Sequence, residues 1–123
     1  DGFLIDGRKV SCGMGKSEIF IDAKGNVYPC RMTYSDEYYL GNVISEDLEV
    51  VLSRVDDKVA DLHVDSLEDC KDCSFRYLCG GGCRMYHAGY SNSIYKNSQE
   101  VCETLKAQCK NLVLLKNNIN PIE

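Results

Sequence analysis

The sequence predicts a small α+β domain stabilised by bound metal, in which a short β-hairpin is followed by helices and cysteine-rich loops. Three observations support this fold class: a strand-turn-strand pattern ends near Cys30, apolar residues later recur at helical spacing, and eight cysteines occur among 123 residues. A chain of this length buries a thin core, so metal ligation would supply folding energy that the core lacks. We expect one domain over residues 1–123.

The predicted hairpin lies between two cysteines. Ser17–Asp22 has the composition of a strand, a turn follows through Gly25, and Asn26–Cys30 supplies the second strand. This arrangement would bring Cys12 and Cys30 towards the same end of the ribbon. Because an isolated hairpin is marginally stable in water, another interaction must hold the pair in place.

Two helical stretches are predicted in the middle of the chain. Ser45 precedes a run with one apolar face and acidic residues in its first turn, so we expect it to cap a helix over Glu46–Arg54. A second, short helical stretch is expected to continue through Ala60 and Leu62. Its acidic residues are interpreted as a solvated face.

The stretch from Cys70 to Cys83 contains four cysteines separated by two, five and three residues. Ser74–Leu78 is long enough for one helical turn, whereas the three glycines of Gly80–Gly82 are unfavourable inside a helix. These glycines permit unusual backbone dihedral angles. Cys79 and Cys83 can therefore turn towards different partners.

The last part of the chain is predicted to contain a loop over Met85–Asn97, a long helix and a frayed end over Asn117–Glu123. Ser98 is suited to cap the helix, which would run to about Lys116 with apolar residues at steps of three and four. Cys102 and Cys109 fall two turns apart on its apolar face. The helix thus presents at least one thiol to the interior.

Charge and hydropathy exclude several functions. The formal net charge is -5, with 19 acidic and 14 basic residues and no basic stripe, which argues against nucleic acid as a partner. No apolar run approaches the ~20 residues of a membrane-spanning helix, and the start of the chain does not resemble a signal peptide. We therefore expect a cytoplasmic protein without a membrane partner.

The cysteines are compatible with three kinds of site. The CxxC spacing of Cys70 and Cys73 is a common zinc half-site, and eight cysteines suffice for two zinc ions held by four thiolates each. Two 4Fe-4S clusters would also need about four thiolates each. Four disulfides are disfavoured, because no export signal is present and the cysteines are closely spaced. Sulfur count alone does not separate zinc from iron.

The spacing of the cysteines resembles a known pattern, and this resemblance favours iron-sulfur clusters over zinc. Twelve residues separate Cys12 from Gly25, and four more separate Gly25 from Cys30. After a gap come four closely spaced cysteines, Cys70, Cys73, Cys79 and Cys83. A seventh, Cys102, follows after another gap. This pattern resembles the seven-cysteine signature of the SPASM domain, the C-terminal extension of radical SAM enzymes that mature peptides and proteins. The resemblance extends over roughly Cys12 to Cys109.

This resemblance implies two auxiliary 4Fe-4S clusters. The first would be bound by Cys12, Cys30 and Cys83, and the second by Cys70, Cys73, Cys79 and Cys102. The first cluster lacks a fourth assigned ligand, because Asp6 stands where some relatives have a cysteine. Asp6 or Cys109 could supply this fourth ligand, or one iron could stay open. For Cys109, a buried apolar position on the helix is the favoured interpretation.

The histidines and arginines near the cysteines are expected to have structural or electrostatic roles, not catalytic ones. His63 and His87 lack a catalytic partner at motif spacing, so we expect them to be solvated or hydrogen-bonded. Arg76 and Arg84 flank the thiols and would offset the negative charge of cysteine-ligated clusters. No catalytic residue is expected in this chain by itself.

The resemblance also implies an enzyme of which this chain is a C-terminal fragment. The CX3CX2C motif that binds the SAM-cleaving cluster is incomplete, because Tyr86 stands where its third cysteine would follow Cys79 and Cys83. No βα repeat long enough for a barrel is present either. The barrel, S-adenosylmethionine and a third 4Fe-4S cluster would belong to a preceding part of the same polypeptide.

The predicted function is that of an auxiliary iron-sulfur domain in a radical SAM maturase. It would transfer electrons or position a peptide or protein substrate, including in thioether or other crosslink formation in ribosomally made peptides. Sulfatase maturation and the synthesis of peptide-derived redox cofactors are further possibilities. A noncatalytic zinc-binding interaction module is the alternative.

Overall fold

The computed structural model describes residues 9–117, which form three short strands and five α-helices. The fold class is therefore α+β, as predicted. In chain order the elements are β1 (Phe20–Ile21), β2 (Asn26–Tyr28), β3 (Gly41–Asn42), α1 (Leu48–Leu52), α2 (Val55–Lys58), α3 (Arg76–Cys79), α4 (Arg84–Ser91) and α5 (Gln99–Lys116). No helix in this described range is long and apolar enough to cross a membrane.

Contacts divide the chain into two compact units. Gly13–Asp61 forms the N-terminal unit, and the described residues on either side of it form the cysteine-rich unit. The N-terminal unit contains β1 to β3, α1 and α2, whereas the cysteine-rich unit contains α3 to α5. The organisation of residues 1–123 as one domain stays a prediction.

The N-terminal unit contains an antiparallel sheet with strand order β1-β2-β3. The predicted hairpin is confirmed, with Phe20 opposite Tyr28 and the turn closed by Gly25 at a φ of +87°. β3 adds a third strand through the pairing of Val27 with Gly41. Two residues are too few to show the alternation that identifies a strand in a sequence, which explains why β3 was not predicted.

A small apolar core lies between this sheet and the helices of the same unit. Val27, Leu40, Val51 and Val55 are all buried and form one cluster. Their burial explains why α1 and α2 form here, because each helix is too short to be stable without packing.

The predicted boundaries of the first two helices were wrong. Asp47, not Ser45, is the N-cap of α1, because the Glu46 carboxylate accepts the Asn42 N–H and pairs with Arg54, which holds residue 46 outside the helix. α2 ends at Lys58 and does not continue through Ala60 and Leu62. The backbone of Val59 is already extended, with a φ of -131°.

The loop predicted over Met85–Asn97 was also wrong, because α4 occupies most of it. Arg84 and His87 are both fully buried and lie one turn apart on this helix. A helix whose inward face carries an arginine and a histidine has no apolar periodicity, so the usual sequence signal is missing. α4 ends at Ser91, and its C-cap Asn92 has a φ of +64°, which suits a helix C-terminus.

The final helix begins and ends close to its predicted bounds. The Ser98 hydroxyl accepts the Val101 N–H at 3.4 Å and caps α5. Cys109 is buried on this helix, as expected for an apolar position. Of the frayed end predicted over Asn117–Glu123, residues 118–123 lie outside the described residues, and so does Asp6.

Candidate metal centre

Four cysteines line one cavity of about 70 Å³ in the cysteine-rich unit: Cys70, Cys73, Cys79 and Cys102. These are the four residues predicted to bind the second auxiliary cluster. None of the eight cysteines forms a disulfide. The cavity therefore offers four thiols that no disulfide consumes.

Local backbone structure places each of these thiols. The Cys70 N–H donates to Leu67 O and the Cys73 N–H donates to Cys70 O, so two consecutive turns carry the CxxC pair. Cys79 is the last residue of α3, which starts after Phe75. Cys102 lies in the first turn of α5, where the Ser98 cap fixes the beginning of the helix.

The glycines after Cys79 separate it from Cys83. Gly80, Gly81 and Gly82 have φ values of +70°, +92° and +70°, a left-handed run that other residues adopt only at a cost. Beyond the run, Cys83 lines a different groove, together with Tyr86 and Tyr90. The two neighbouring cysteines thus face different spaces, as the glycine-rich sequence predicts.

Burial keeps two of the cavity thiols protonated in the metal-free chain. It raises the pKa of Cys79 and of Cys102, and the neighbouring thiols raise both further. Hydrogen bonds act in the opposite direction, from the Gly81 backbone to Cys79 and from the Asn97 amide to Cys102. Because the thiolate is the metal ligand, ligation at this site must release protons.

Cationic side chains also border the cavity. Arg76 and Lys106 line it. Arg76 Nη1 donates to Cys73 O at 2.8 Å, its guanidinium stacks 4.5 Å from the Tyr77 ring, and its Nε lies 3.6 Å from Asp65 Oδ1. A positive charge is thereby fixed beside the thiols, as expected for Arg76.

His87 connects the glycine run to the start of α5. The Ser98 N–H donates to Nδ1 at 2.9 Å, so the ring proton is on Nε2, which lies 3.0 Å from Gly81 O and donates to it. Burial lowers the pKa of His87, and the positive charge of Arg84 lowers it further. His87 is therefore neutral and hydrogen-bonded at both nitrogens. His63 also has a partner, the Asp65 N–H at 3.1 Å.

The residues predicted to bind the first cluster are divided between the two units. Cys12 and Cys83 belong to the cysteine-rich unit, where the N–H and hydroxyl of Ser11 donate to Gly80 O at 2.9 and 3.0 Å. Cys30 belongs to the N-terminal unit and precedes a 3-10 turn, with its Sγ accepting the Met32 N–H at 3.4 Å. This ligand set stays a prediction.

The chemistry of the cavity fits an iron-sulfur cluster. Cysteine thiolates are the usual ligands of 4Fe-4S clusters, and the cavity supplies four of them. Within residues 9–117, no group of three or more Cys, His, Asp or Glu side chains lies close enough together to hold a single metal ion. The four thiols line a shared space.

The site and the fold together define the chain as a thiol-rich α+β domain. A family model agrees: that of SPASM, described as an iron-sulfur cluster-binding domain, matches residues 12–74. This match covers half of the chain and includes Cys12, Cys30, Cys70 and Cys73. The chain belongs to the SPASM family.

Curated relatives extend this comparison. A "Cysteine-type anaerobic sulfatase-maturating enzyme" of Clostridium perfringens is 32% identical over 91 residues, covering 68% of this chain and 25% of the relative. A protein of the same name from Clostridium novyi is 29% identical over 109 residues, covering 85% of this chain and 29% of the relative. The chain thus spans about a quarter of the length of the curated relatives it matches.

Proposed function

We propose that this chain is the auxiliary iron-sulfur domain of a radical SAM enzyme that modifies a protein or peptide. One observation carries the proposal: within a SPASM domain, four free thiols line a single cavity. The barrel, the S-adenosylmethionine site and a third 4Fe-4S cluster would lie in the rest of the polypeptide, since the match covers only about a quarter of each relative.

The proposed ligands fall into two sets. Cys70, Cys73, Cys79 and Cys102 would hold the second auxiliary cluster, which the shared cavity supports. Cys12, Cys30 and Cys83 would hold the first, and the divergence of Cys83 from Cys79 supports their assignment to different sets. The fourth ligand of the first set would be Asp6 or Cys109, or one iron would stay open. The burial of Cys109 on α5 favours a packing role for that residue.

The residues around the cavity suit a redox group. A bound 4Fe-4S cluster supplies one-electron transfer. Phe75 and Leu105 line the cavity and limit the access of water, while Arg76 and Lys106 place positive charge beside the thiolates. The two cationic side chains would favour thiolate ligation over the protonated, metal-free state, and they would offset the negative charge of the thiolates.

The names of the relatives narrow the substrate class. Both Clostridium proteins are named sulfatase-maturating enzymes of the cysteine type. We therefore place a cysteine-containing segment of a sulfatase ahead of a thioether-forming ribosomal peptide as the substrate. In this role the domain would position the substrate or accept an electron during its oxidation.

The test compares two cysteines of the same helix. In anaerobically purified protein, Cys102→Ala should lose about four irons and four sulfides, because one 4Fe-4S site loses a ligand. Cys109→Ala is the matched control and should keep the full content. Equal iron in wild type and Cys102→Ala would refute the site, and zinc without acid-labile sulfide would support the zinc-binding module instead.

A further inference from the structure

Arg84 is a fully buried cation without an acidic partner in the part of the chain that the structure describes. Its relative exposure is 0%. Its three hydrogen bonds go to neutral oxygens: Nε donates to Ile94 O at 2.7 Å, Nη1 to Gly81 O at 2.6 Å and Nη2 to Asn97 Oδ1 at 2.7 Å. Among residues 9–117, no carboxylate lies within ion-pair distance of it. A buried charge normally has a counter-ion, so one is expected nearby.

Arg84 also determines which way the Asn97 side chain faces. A guanidinium group only donates hydrogen bonds, so the Asn97 atom that faces Nη2 must be the carbonyl oxygen. The Asn97 N–H donates to Asp69 Oδ2 at 2.8 Å, which fixes the backbone as well. With its oxygen held by Arg84, the side-chain NH2 group of Asn97 is directed to the other side.

That other side is the thiol cavity. Asn97 lines it, and its Nδ2 donates to Cys70 Sγ at 3.3 Å. The amide therefore contacts a sulfur of the proposed ligand set. A cation, a polarised amide and the Cys70 sulfur follow one another in direct contact.

We propose that Arg84 and Asn97 form a positioning pair that sets the reduction potential of the second auxiliary cluster, with the thiolate-ligated cluster as the missing counter-ion of Arg84. This inference rests on the proposed function, because it requires a cluster at Cys70, Cys73, Cys79 and Cys102. Arg84 polarises the amide, and the amide donates to one ligand sulfur, that of Cys70. Neither residue ligates iron or touches substrate.

The direction of the effect follows from charge. One-electron reduction adds one unit of negative charge to the ligated group, makes or breaks no bond, and takes its electron from an external donor. N–H donors to sulfur and a buried cation stabilise this added charge more than they stabilise the oxidised state. The pair therefore raises the reduction potential, and its removal should make the cluster harder to reduce.

The test is a redox titration of the full-length, anaerobically loaded enzyme, followed by electron paramagnetic resonance. The signal of the second cluster is the one absent from Cys102→Ala. Asn97→Ala removes the donor, and Asn97→Asp also places a carboxylate against Arg84. Asn92→Asp is the matched control, since it makes the same change at an exposed position of the same unit.

We expect Asn97→Ala to shift the reduction equilibrium about tenfold towards the oxidised state, which corresponds to about 59 mV for one electron. Asn97→Asp should shift it further in the same direction, and Asn92→Asp should leave it unchanged. If Asn97→Ala does not retain iron, Asn97→Ser provides the measurement, with a smaller shift because its hydroxyl still donates.

Two kinds of failure are distinguishable. If Cys102→Ala keeps all of its iron and every signal, the proposed function fails, and this inference fails with it. If Cys102→Ala loses a cluster but the Asn97 variants titrate at the wild-type potential, only the positioning pair is overturned. A shift of the same size in Asn92→Asp would also overturn it, because the effect would then be one of net charge.

Discussion

Gly82 is the position where a single added methyl group should do most damage to the candidate site. Its φ is +70°, and a Cβ placed there would lie 2.5 Å from Leu105 Cδ1 and 3.5 Å from His87 Nε2. A left-handed conformation costs a residue other than glycine about 1–2 kcal/mol. Overpacking against Leu105 adds about 1–3 kcal/mol, less if its flexible side chain moves away. Gly82→Ala should therefore lower the free energy of unfolding by roughly 2–4 kcal/mol.

Gly89→Ala is the matched control. Gly89 lies within α4, and an added Cβ there meets no atom within 4 Å. Alanine is the better residue in a helix interior, so this change should stabilise the protein by about 0.5–1 kcal/mol. The two variants add the same methyl group seven positions apart and are expected to act in opposite directions.

Thermal unfolding of the anaerobically loaded protein, monitored by circular dichroism, measures both changes. Gly82→Ala should lower Tm by roughly 10 °C, whereas Gly89→Ala should raise it by a few degrees. The iron content of Gly82→Ala should fall as well, because the glycine run connects a ligand of one proposed cluster to a ligand of the other. A Gly82→Ala protein with wild-type Tm and iron would refute the role given to the left-handed run.

Three further outcomes are expected. Chelation of iron from the protein should unfold the cysteine-rich unit, seen as loss of helical circular dichroism, and full retention of that signal would show that ligation adds no folding energy. Cys83→Ala should abolish the spectroscopic signal of the cluster held by Cys12 and Cys30 and preserve the other signal; the reverse pattern would refute the proposed division. The lowered pKa of His87 means that the unfolded chain binds its proton more readily, so stability should be fully present above about pH 6.5 and should decline below it. His87→Gln should reduce this decline in a comparison of Tm at pH 7.5 and 5.5, and an identical pH dependence in both proteins would contradict the assignment.

The parts of the fold that the sequence predicts are those with a local physical signal. The hairpin is marked by its strand composition and Gly25, and α5 by the Ser98 cap and apolar steps of three and four. Gly80–Gly82 is marked by the cost of glycine in helices. The cysteine spacing resembles that of a known family, and this resemblance predicted the set of four thiols that line the cavity.

The missed parts depend on tertiary contacts. α4 is held by buried polar residues, so its inward face does not read as apolar. Arg84 was expected only to offset charge near the thiols, and its burial became evident from the packed structure. Asn97 gave no sequence signal at all, because its importance comes from an arginine thirteen positions earlier and a cysteine twenty-seven positions earlier.

The protonated thiols of the cavity have a consequence for the time before a cluster is inserted. Oxidation and alkylation of cysteine proceed through the thiolate, so a raised pKa slows both reactions. Burial raises the pKa of Cys79 and Cys102 in the metal-free chain. If Cys79 and Cys102 ligate the proposed cluster, the newly made protein would store these two ligands in an unreactive form, and the incoming iron would remove their protons.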